Sequence, residues 1–342
     1  MNTYCDDIQQ VFSEHLPWEK LSGTNILVTG ATGLIGSTLV DALMANPHRD
    51  YSVYASGRNL ARARKRFENY FSMESFSFIE YDVTLPLQTH IHFDYIIHAA
   101  SPASPNAFSK NPVEIVKANI QGVSNLIEYG IKHGMKRFLY VSSGEVYGEG
   151  DGRVITEDYC GYVDSLNPRS CYPSSKRAAE TLCASYASEY DVDVVIARPC
   201  HVYGPHFTES DNRVYAQFIR NILNGEDIVM KSRGEQIRSW CYVVDCVSAL
   251  LYILLKGASG NAYNVADPNS VLSVKQLADM LADIGGRNVV IEMPSDAEKR
   301  SFNPVSKSVF SVAKLEGLGW KVSERMYDKM SKTVSQLVSD LK

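Results

Sequence analysis

Up to Pro199, apolar positions fall into two alternating kinds. Short unbroken runs rich in valine and isoleucine predict buried strands over 25–29, 51–55, 76–81, 95–99, 137–142 and 192–197. Between them, apolar residues three and four apart predict helices over 34–44, 59–70, 112–133 and 173–190. Residues 1–22 read as a helical lead-in with Trp18 as an anchor. Strands alternating with helices of this length imply βαβ units and a doubly wound, mostly parallel sheet, an α/β fold. After Pro199 the pattern weakens. A loop rich in Gly, Pro, His and Asp over 203–213 precedes a helix over 214–224, and the rest reads as irregular. The expected layout is one α/β domain over 1–198, with a return near 239–265, and a smaller interleaved region over 199–342.

Composition narrows the classes without choosing among them. The 342 residues are 45% hydrophobic and 21% charged, and 34 Lys+Arg against 39 Asp+Glu leave a net charge of −5. That balance lacks the basic footprint of a nucleic-acid binder. The longest apolar run, 247–255, is too short to span a bilayer, so no membrane partner is expected. The first 20 residues carry early acids and no apolar core, unlike a signal peptide. Seven scattered cysteines, none in a C-x-x-C pair, argue against a disulfide framework or a zinc site. No metal ligand set is expected, and a reducing cytoplasm is the expected location.

The first chemistry lies at the end of the first predicted strand. Gly30-Ala-Thr-Gly33-Leu-Ile-Gly36 stands between that strand and the next helix. Glycine allows a tight turn and close backbone approach, while the helix N-terminus offers unpaired N–H groups and positive dipole to a pyrophosphate. This placement predicts dinucleotide binding and a Rossmann fold. An acid closing the second strand would indicate NAD. Here the segment reads Ala55-Ser-Gly-Arg58-Asn59, and Arg58 is suited to the 2′-phosphate of NADP, or else is a solvated residue opening a basic helix. Asp82 after the third strand fits an adenine contact or a helix cap.

Tyr172 and Lys176 are four residues apart at the opening of a helix, hence on one face, and Ser142-Ser143 ends a strand. Alcohol oxidation needs a base, and a free tyrosine near pKa ~10 is a poor one. A lysine ammonium and a cationic nicotinamide nearby are expected to favour its phenolate.

With the glycine loop, these residues resemble the extended short-chain dehydrogenase/reductases of the NAD-dependent sugar-nucleotide epimerase/dehydratase family. Further supporting segments are His98-Ala-Ala-Ser-Pro-Ala-Ser-Pro105, Tyr140-Val-Ser-Ser-Gly-Glu-Val-Tyr-Gly148, Arg198-Pro-Cys-His-Val-Tyr-Gly-Pro205, Arg238-Ser-Trp-Cys-Tyr-Val-Val-Asp245 and Leu318-Gly-Trp320. The resemblance implies a Rossmann domain with a smaller C-terminal substrate-binding domain. It implies that Ser143 holds the sugar C4 hydroxyl, Tyr172 takes its proton and Lys176 holds the nicotinamide ribose. For the cofactor it implies contacts from Gly30, Thr32, Gly33, Leu34, Ile35, Gly36, Arg58, Asp82, Val83, Ala99, Ala100, Ser101, Asn119, Tyr172, Lys176 and Pro199. It also implies a nucleotide-sugar substrate and a homodimer paired through the helices at 112–133 and 173–190.

Similarity is closest to UDP-glucuronate decarboxylases, through the Ser-Pro-Ala-Ser-Pro run and Asn167-Pro-Arg-Ser-Cys-Tyr172. In these the 4-keto sugar loses carbon dioxide before the hydride returns. The alternatives are a 4,6-dehydratase, a 4-epimerase, an NADPH-dependent keto-sugar reductase and a non-catalytic dinucleotide sensor. Glu145 matches a catalytic glutamate, or is a loop acid or cap. Arg238 matches a substrate-binding arginine, or pairs with Asp245. His201, where many relatives have asparagine, contacts substrate or is a packed histidine. Gly144 departs from the serine of decarboxylases and the aspartic acid of many dehydratases. Cys171, Cys200 and Cys241 read as small hydrophobes, and His98 as structural or near the adenine.

Overall fold

The computed structural model describes residues 3–340 except 14, 104, 209–210, 293–305 and 323. Ser104 of the Ser-Pro-Ala-Ser-Pro segment therefore lies outside the described residues. Six strands come first: β1 (Asn25–Thr29), β2 (Ser52–Gly57), β3 (Phe76–Glu80), β4 (Tyr95–His98), β5 (Arg137–Val141) and β6 (Val194–Pro199). Seven follow: β7 (His201–Tyr203), β8 (Ile228–Met230), β9 (Ile237–Tyr242), β10 (Asn261–Val265), β11 (Val271–Ser273), β12 (Val289–Ile291) and β13 (Lys307–Ser308).

A seven-stranded sheet runs β10-β6-β5-β4-β1-β2-β3, every neighbour parallel. Ile26, Leu27 and Val28 of β1 have no exposed surface. A strand covered on both faces carries no alternation, which is why β1 reads as a continuous apolar run. The helices between these strands are α1 (Tyr4–Gln10), which precedes β1, α2 (Leu34–Ala45), α3 (Leu60–Arg66), α4 (Pro105–Lys110), α5 (Pro112–His133) and α6 (Cys171–Tyr190). The doubly wound parallel sheet expected from the alternation is present. Strand order reverses between β1 and β4, and a crevice at such a reversal, beyond the carboxyl ends of the strands, is where open α/β sheets bind ligands.

The irregular tail expected after 224 is corrected by the structure. Beyond α7 (Val214–Leu223) come α8 (Val243–Lys256), strand β10 at the sheet edge, α9 (Val274–Gly285) and a last described helix, Met326–Asp340. In α8 the run from Val247 to Leu255 is buried throughout. A helix covered all round shows no apolar stripe, so its period is hidden. For α9 a signal exists: Ser273 and Gln276 form a reciprocal capping box. A smaller sheet is built on β9, flanked by antiparallel β11 and parallel β7 and β13. Among the described residues no helix is long and apolar enough to cross a membrane.

Helix α1 joins distant parts of the chain. The Tyr4 hydroxyl donates to Asp41 Oδ2 on α2 at 2.6 Å, and Asp41 also pairs with Arg66 of α3. Asp7 accepts from Lys332 Nζ at 2.7 Å and from the Tyr242 hydroxyl at 3.2 Å. Both side chains of the Asp7–Lys332 pair are under one-tenth exposed. Breaking a buried pair from one side leaves an uncompensated charge. Asp7→Ala is therefore expected to cost about 3 kcal/mol in urea denaturation. A loss below about 1 kcal/mol would show that Glu324, the other partner of Lys332, carries the charge alone.

Candidate active site

Gly30 takes φ +67°, and a Cβ there would stand 2.6 Å from the Ala99 carbonyl oxygen and 2.7 Å from the Ala100 Cα. A Cβ on Gly36 would meet the Gly30 carbonyl oxygen at 2.3 Å. These two glycines let the turn after β1 lie against the end of β4 and under α2. Gly33 is the N-cap of α2 and supplies no side-chain cap, so the first amides of the helix are free to meet an anion. Leu34 and Ile35 open the helix. Thr32 reaches the end of β2, its Oγ1 being 3.6 Å from where a Gly57 Cβ would stand.

The other expected cofactor contacts lie along the same carboxyl edge of the sheet. Arg58 follows β2 and is exposed, within electrostatic reach of Asp82. Asp82 accepts from the Thr84 amide and hydroxyl, which hold its carboxyl below the usual range despite partial burial. Val83 packs near His98 over α5. Asn119 is fully buried and donates to the Ser175 hydroxyl at 2.9 Å. Pro199 lines the cavity described below. Ser56 Oγ, Ser101 Oγ, Asn119 Oδ1 and Ser142 Oγ are all buried without a partner among the described residues. Unpaired buried polar atoms along one edge, beside an uncapped helix N-terminus, fit a long polar ligand such as a nicotinamide dinucleotide.

A cavity of about 240 Å³ opens beside this edge, lined by Ser143, Glu145, Tyr172, His201, Arg213 and Phe310 among others. Ser143 caps the turn Gly144–Tyr147 by accepting from the Glu145 amide, so Glu145 is not itself the cap. Tyr172 and Lys176 share the buried face of α6, which begins at Cys171 after the turn Pro168–Ser170. The Ser143 hydroxyl is within hydrogen-bonding reach of the Tyr172 oxygen. Lys176 is 2% exposed, donates to the Val141 carbonyl at 2.9 Å and sits 5.8 Å from the Tyr172 ring centre.

From the protein side alone, both groups lean towards their neutral forms. Burial pushes the Tyr172 phenol up to about 12, and the Glu145 carboxylate adds to the rise; the Ser143 hydrogen bond, Arg213 and Arg169 oppose it. Burial likewise brings Lys176 down to about 7, with Glu180 pulling the other way. Both groups lie in the same dry pocket, and desolvation penalises each charged form.

Arg238 is 6% exposed and has no acidic partner within ion-pairing distance among the described residues. Its alternative as a mate for Asp245 is excluded, since Asp245 pairs with Lys329 at 2.6 Å. Burial lowers Arg238 to about 10, with Glu145 pulling the other way. His201 lies beside Trp240, ring centres 5.3 Å apart and planes tilted by 52°, and its Nδ1 is buried without a partner among the described residues. Burial, then Arg238 and Arg213, drive this imidazole down to about 3, so it is neutral. Cys200 and Cys241 are pushed well up by burial, consistent with inert thiols. Among the described residues no cluster suits a metal ion.

Four site residues escape the sequence reading. Arg169 holds both Glu145 oxygens at 3.0 Å; it lies in the quoted Asn167–Tyr172 segment but carries no motif of its own. Arg213, bound to Asp211, ends the 203–213 loop. Phe108 stacks on Tyr172 from a short helix with no periodic signal. Phe310 arrives from the far end of the chain to cover Gly144, where a Cβ would meet its ring at 2.3 Å.

Comparison with known proteins agrees with this arrangement. The chain is 34% identical to UDP-glucuronic acid decarboxylase 1 of Xenopus tropicalis over 319 residues, covering 92% of this chain and 72% of that one. It is 36% identical to UDP-glucuronic acid decarboxylase 6 of Arabidopsis thaliana over 304 residues, covering 88% and 84%. Among solved structures, UDP-glucose 4-epimerase of Thermotoga maritima with UDP-glucose superposes with a TM-score of 0.80 at 27% identity, covering 93% and 100%. The dTDP-glucose 4,6-dehydratase of Streptomyces venezuelae with NAD bound shares the fold, with a TM-score of 0.78 at 23% identity over 91% and 96%. The NAD dependent epimerase/dehydratase family profile matches residues 26–266. With its glycine turn, its Ser143, Tyr172 and Lys176 group and this match over most of its length, the chain belongs to the NAD dependent epimerase/dehydratase family.

Proposed function

We propose that this enzyme is a UDP-glucuronate decarboxylase that oxidises the sugar at C4, releases carbon dioxide and restores the C4 hydroxyl. One observation supports this most: Arg238 is a buried guanidinium with no ion-pair partner among the described residues, within electrostatic reach of His201 and Glu145, which line the cavity with Tyr172. A buried charge of this kind gains from an anion that reaches it, and UDP-glucuronate brings a diphosphate and a carboxylate. The two decarboxylase relatives point the same way.

Bound NAD supplies the hydride acceptor and later donor at C4. The glycine turn and α2 would hold its pyrophosphate, and Lys176 would hold the nicotinamide ribose. Ser143 holds the C4 hydroxyl and Tyr172 takes its proton as C4 is oxidised. The ketone then lies β to the carboxylate. Loss of carbon dioxide sends its electron pair into the carbonyl, C5 takes a proton, and C4 is reduced again. The cycle consumes no net NAD. Arg58, the one residue favouring NADP, is exposed, and the NAD dependent family that the chain matches supports reading the cofactor as NAD.

Dehydration needs a group to protonate the departing hydroxyl. Position 144 has no side chain, and both Glu145 oxygens are tied to Arg169. Epimerisation remains the second reading, supported by the UDP-glucose 4-epimerase likeness. The test is a panel of UDP-, dTDP-, GDP- and CDP-sugars followed by mass spectrometry. Loss of one carbon dioxide from UDP-glucuronate is expected. Loss of water, or a mass-neutral change of configuration, would overturn the proposal.

A further inference from the structure

One guanidinium touches two parts of the site that the reaction scheme treats separately. Arg169 lies in the turn Pro168–Ser170, which the Asn167 side chain caps and which leads straight into α6. Its two terminal nitrogens grip the two Glu145 oxygens at 3.0 Å each, a planar two-point contact. The same guanidinium lies over the Phe108 ring, 4.5 Å from its centre. Phe108, 3% exposed, is stacked on the Tyr172 ring with centres 4.7 Å apart and planes 28° apart. Phe108, Ile115, Cys171 and Tyr172 form one small apolar cluster, so the stack is packed from the side as well.

We propose that Arg169 is a positioning residue for proton transfer, fixing Glu145 directly and the Tyr172 ring through Phe108. The inference rests on the reading of Tyr172 as the base. An arginine is needed for both contacts, because lysine offers a point charge and no flat face.

The charge balance gives the arrangement a signature. The groups facing Tyr172 are Tyr140 on β5, Ser143 and Glu145 from the turn after it, Arg169 from the turn before α6, Arg213 from the 203–213 loop, and Lys176 and the Cys171 thiol on α6 itself; α4 and α5 present Phe108 and Ile115. Glu145 favours the protonated phenol, and Arg169 and Arg213 favour the phenolate. Removing Arg169 leaves Glu145 uncompensated and strengthens the hold on the proton. Removing the Glu145 charge weakens it. The two halves of one ion pair thus shift Tyr172 in opposite directions through charge, while the flat contact with Phe108 is read separately by Arg169→Lys.

The test follows Tyr172 in the NAD-loaded protein, with tyrosines labelled at the phenol carbon bearing oxygen and the resonance assigned by its loss in Tyr172→Phe. Nuclear magnetic resonance titrations compare wild type, Arg169→Met, Arg169→Lys and Glu145→Gln. Glu145→Gln is expected to raise the acid constant at least about threefold and Arg169→Met to lower it by a similar factor. Arg169→Lys should return the titration towards wild type while the resonance broadens, because the charge is kept and the flat contact is lost. Shifts in the same direction, or no shift in either variant, would overturn the proposal. Persistence of turnover in Tyr172→Phe would instead overturn the base assignment, whatever the titrations show.

Discussion

Replacing Tyr172 with phenylalanine is expected to lower kcat on the order of 10²–10⁴-fold while leaving NAD affinity nearly unchanged. The phenylalanine ring keeps the stack on Phe108 and the packing around Ile115, so the cavity retains its shape. What disappears is the one oxygen that Ser143 reaches and that can carry the C4 proton. Lys176 does not replace it, since its Nζ lies 5.8 Å from the Tyr172 ring centre and donates to the Val141 carbonyl. The protein alone pushes the phenol up to about 12, so the active phenolate gains population as pH rises. Turnover of the native enzyme should therefore climb with pH until another group fails. Steady-state kinetics over a pH series, beside fluorescence titration of NAD, checks both parts. Activity within tenfold of wild type would show that the base lies elsewhere.

The second large effect concerns Gly144. A serine there would put its Cβ 2.3 Å from one Phe310 ring carbon and 2.6 Å from another. The ring has little room to yield. It is 5% exposed, lies 5.5 Å from the Tyr147 ring, and its own amide donates to Ser239 at 3.1 Å. Gly144→Ser is expected to cost about 3 kcal/mol, the upper part of the usual range for overpacking. Phe310→Ala alone should cost about as much through the cavity it leaves. In the double variant the serine occupies part of that cavity, so its own cost should fall to near zero, a coupling of about 3 kcal/mol. Urea denaturation of the four proteins measures it. If Gly144→Ser were neutral in the native background, the ring would be free to move and would not wall the cavity.

Much of this arrangement is legible in the sequence because it is local. The glycine turn, β1 and α2 are consecutive, and Tyr172 and Lys176 share a helix face by spacing alone. What escapes depends on distance in the chain. Phe310 meets Gly144 only once β13 has paired with β9, and no pattern around residue 310 announces it. Helix α8 is hidden for the opposite reason, being apolar on every side. Burial is the other thing the sequence leaves out, since it shows that a lysine is near a tyrosine but not that both are dry.

The return of β10 to the sheet bears on how the chain is made. Strand β6, which ends at Pro199, lies between β5 and β10, and β10 begins only at Asn261. Until those residues leave the ribosome, β6 is an open edge of unpaired amides and carbonyls beside a finished parallel sheet. Edges of that kind recruit other chains, and pairing across long sequence separations is slow. A nascent chain halted near residue 200 should thus be a client for chaperones, even though every strand around the glycine turn is already present.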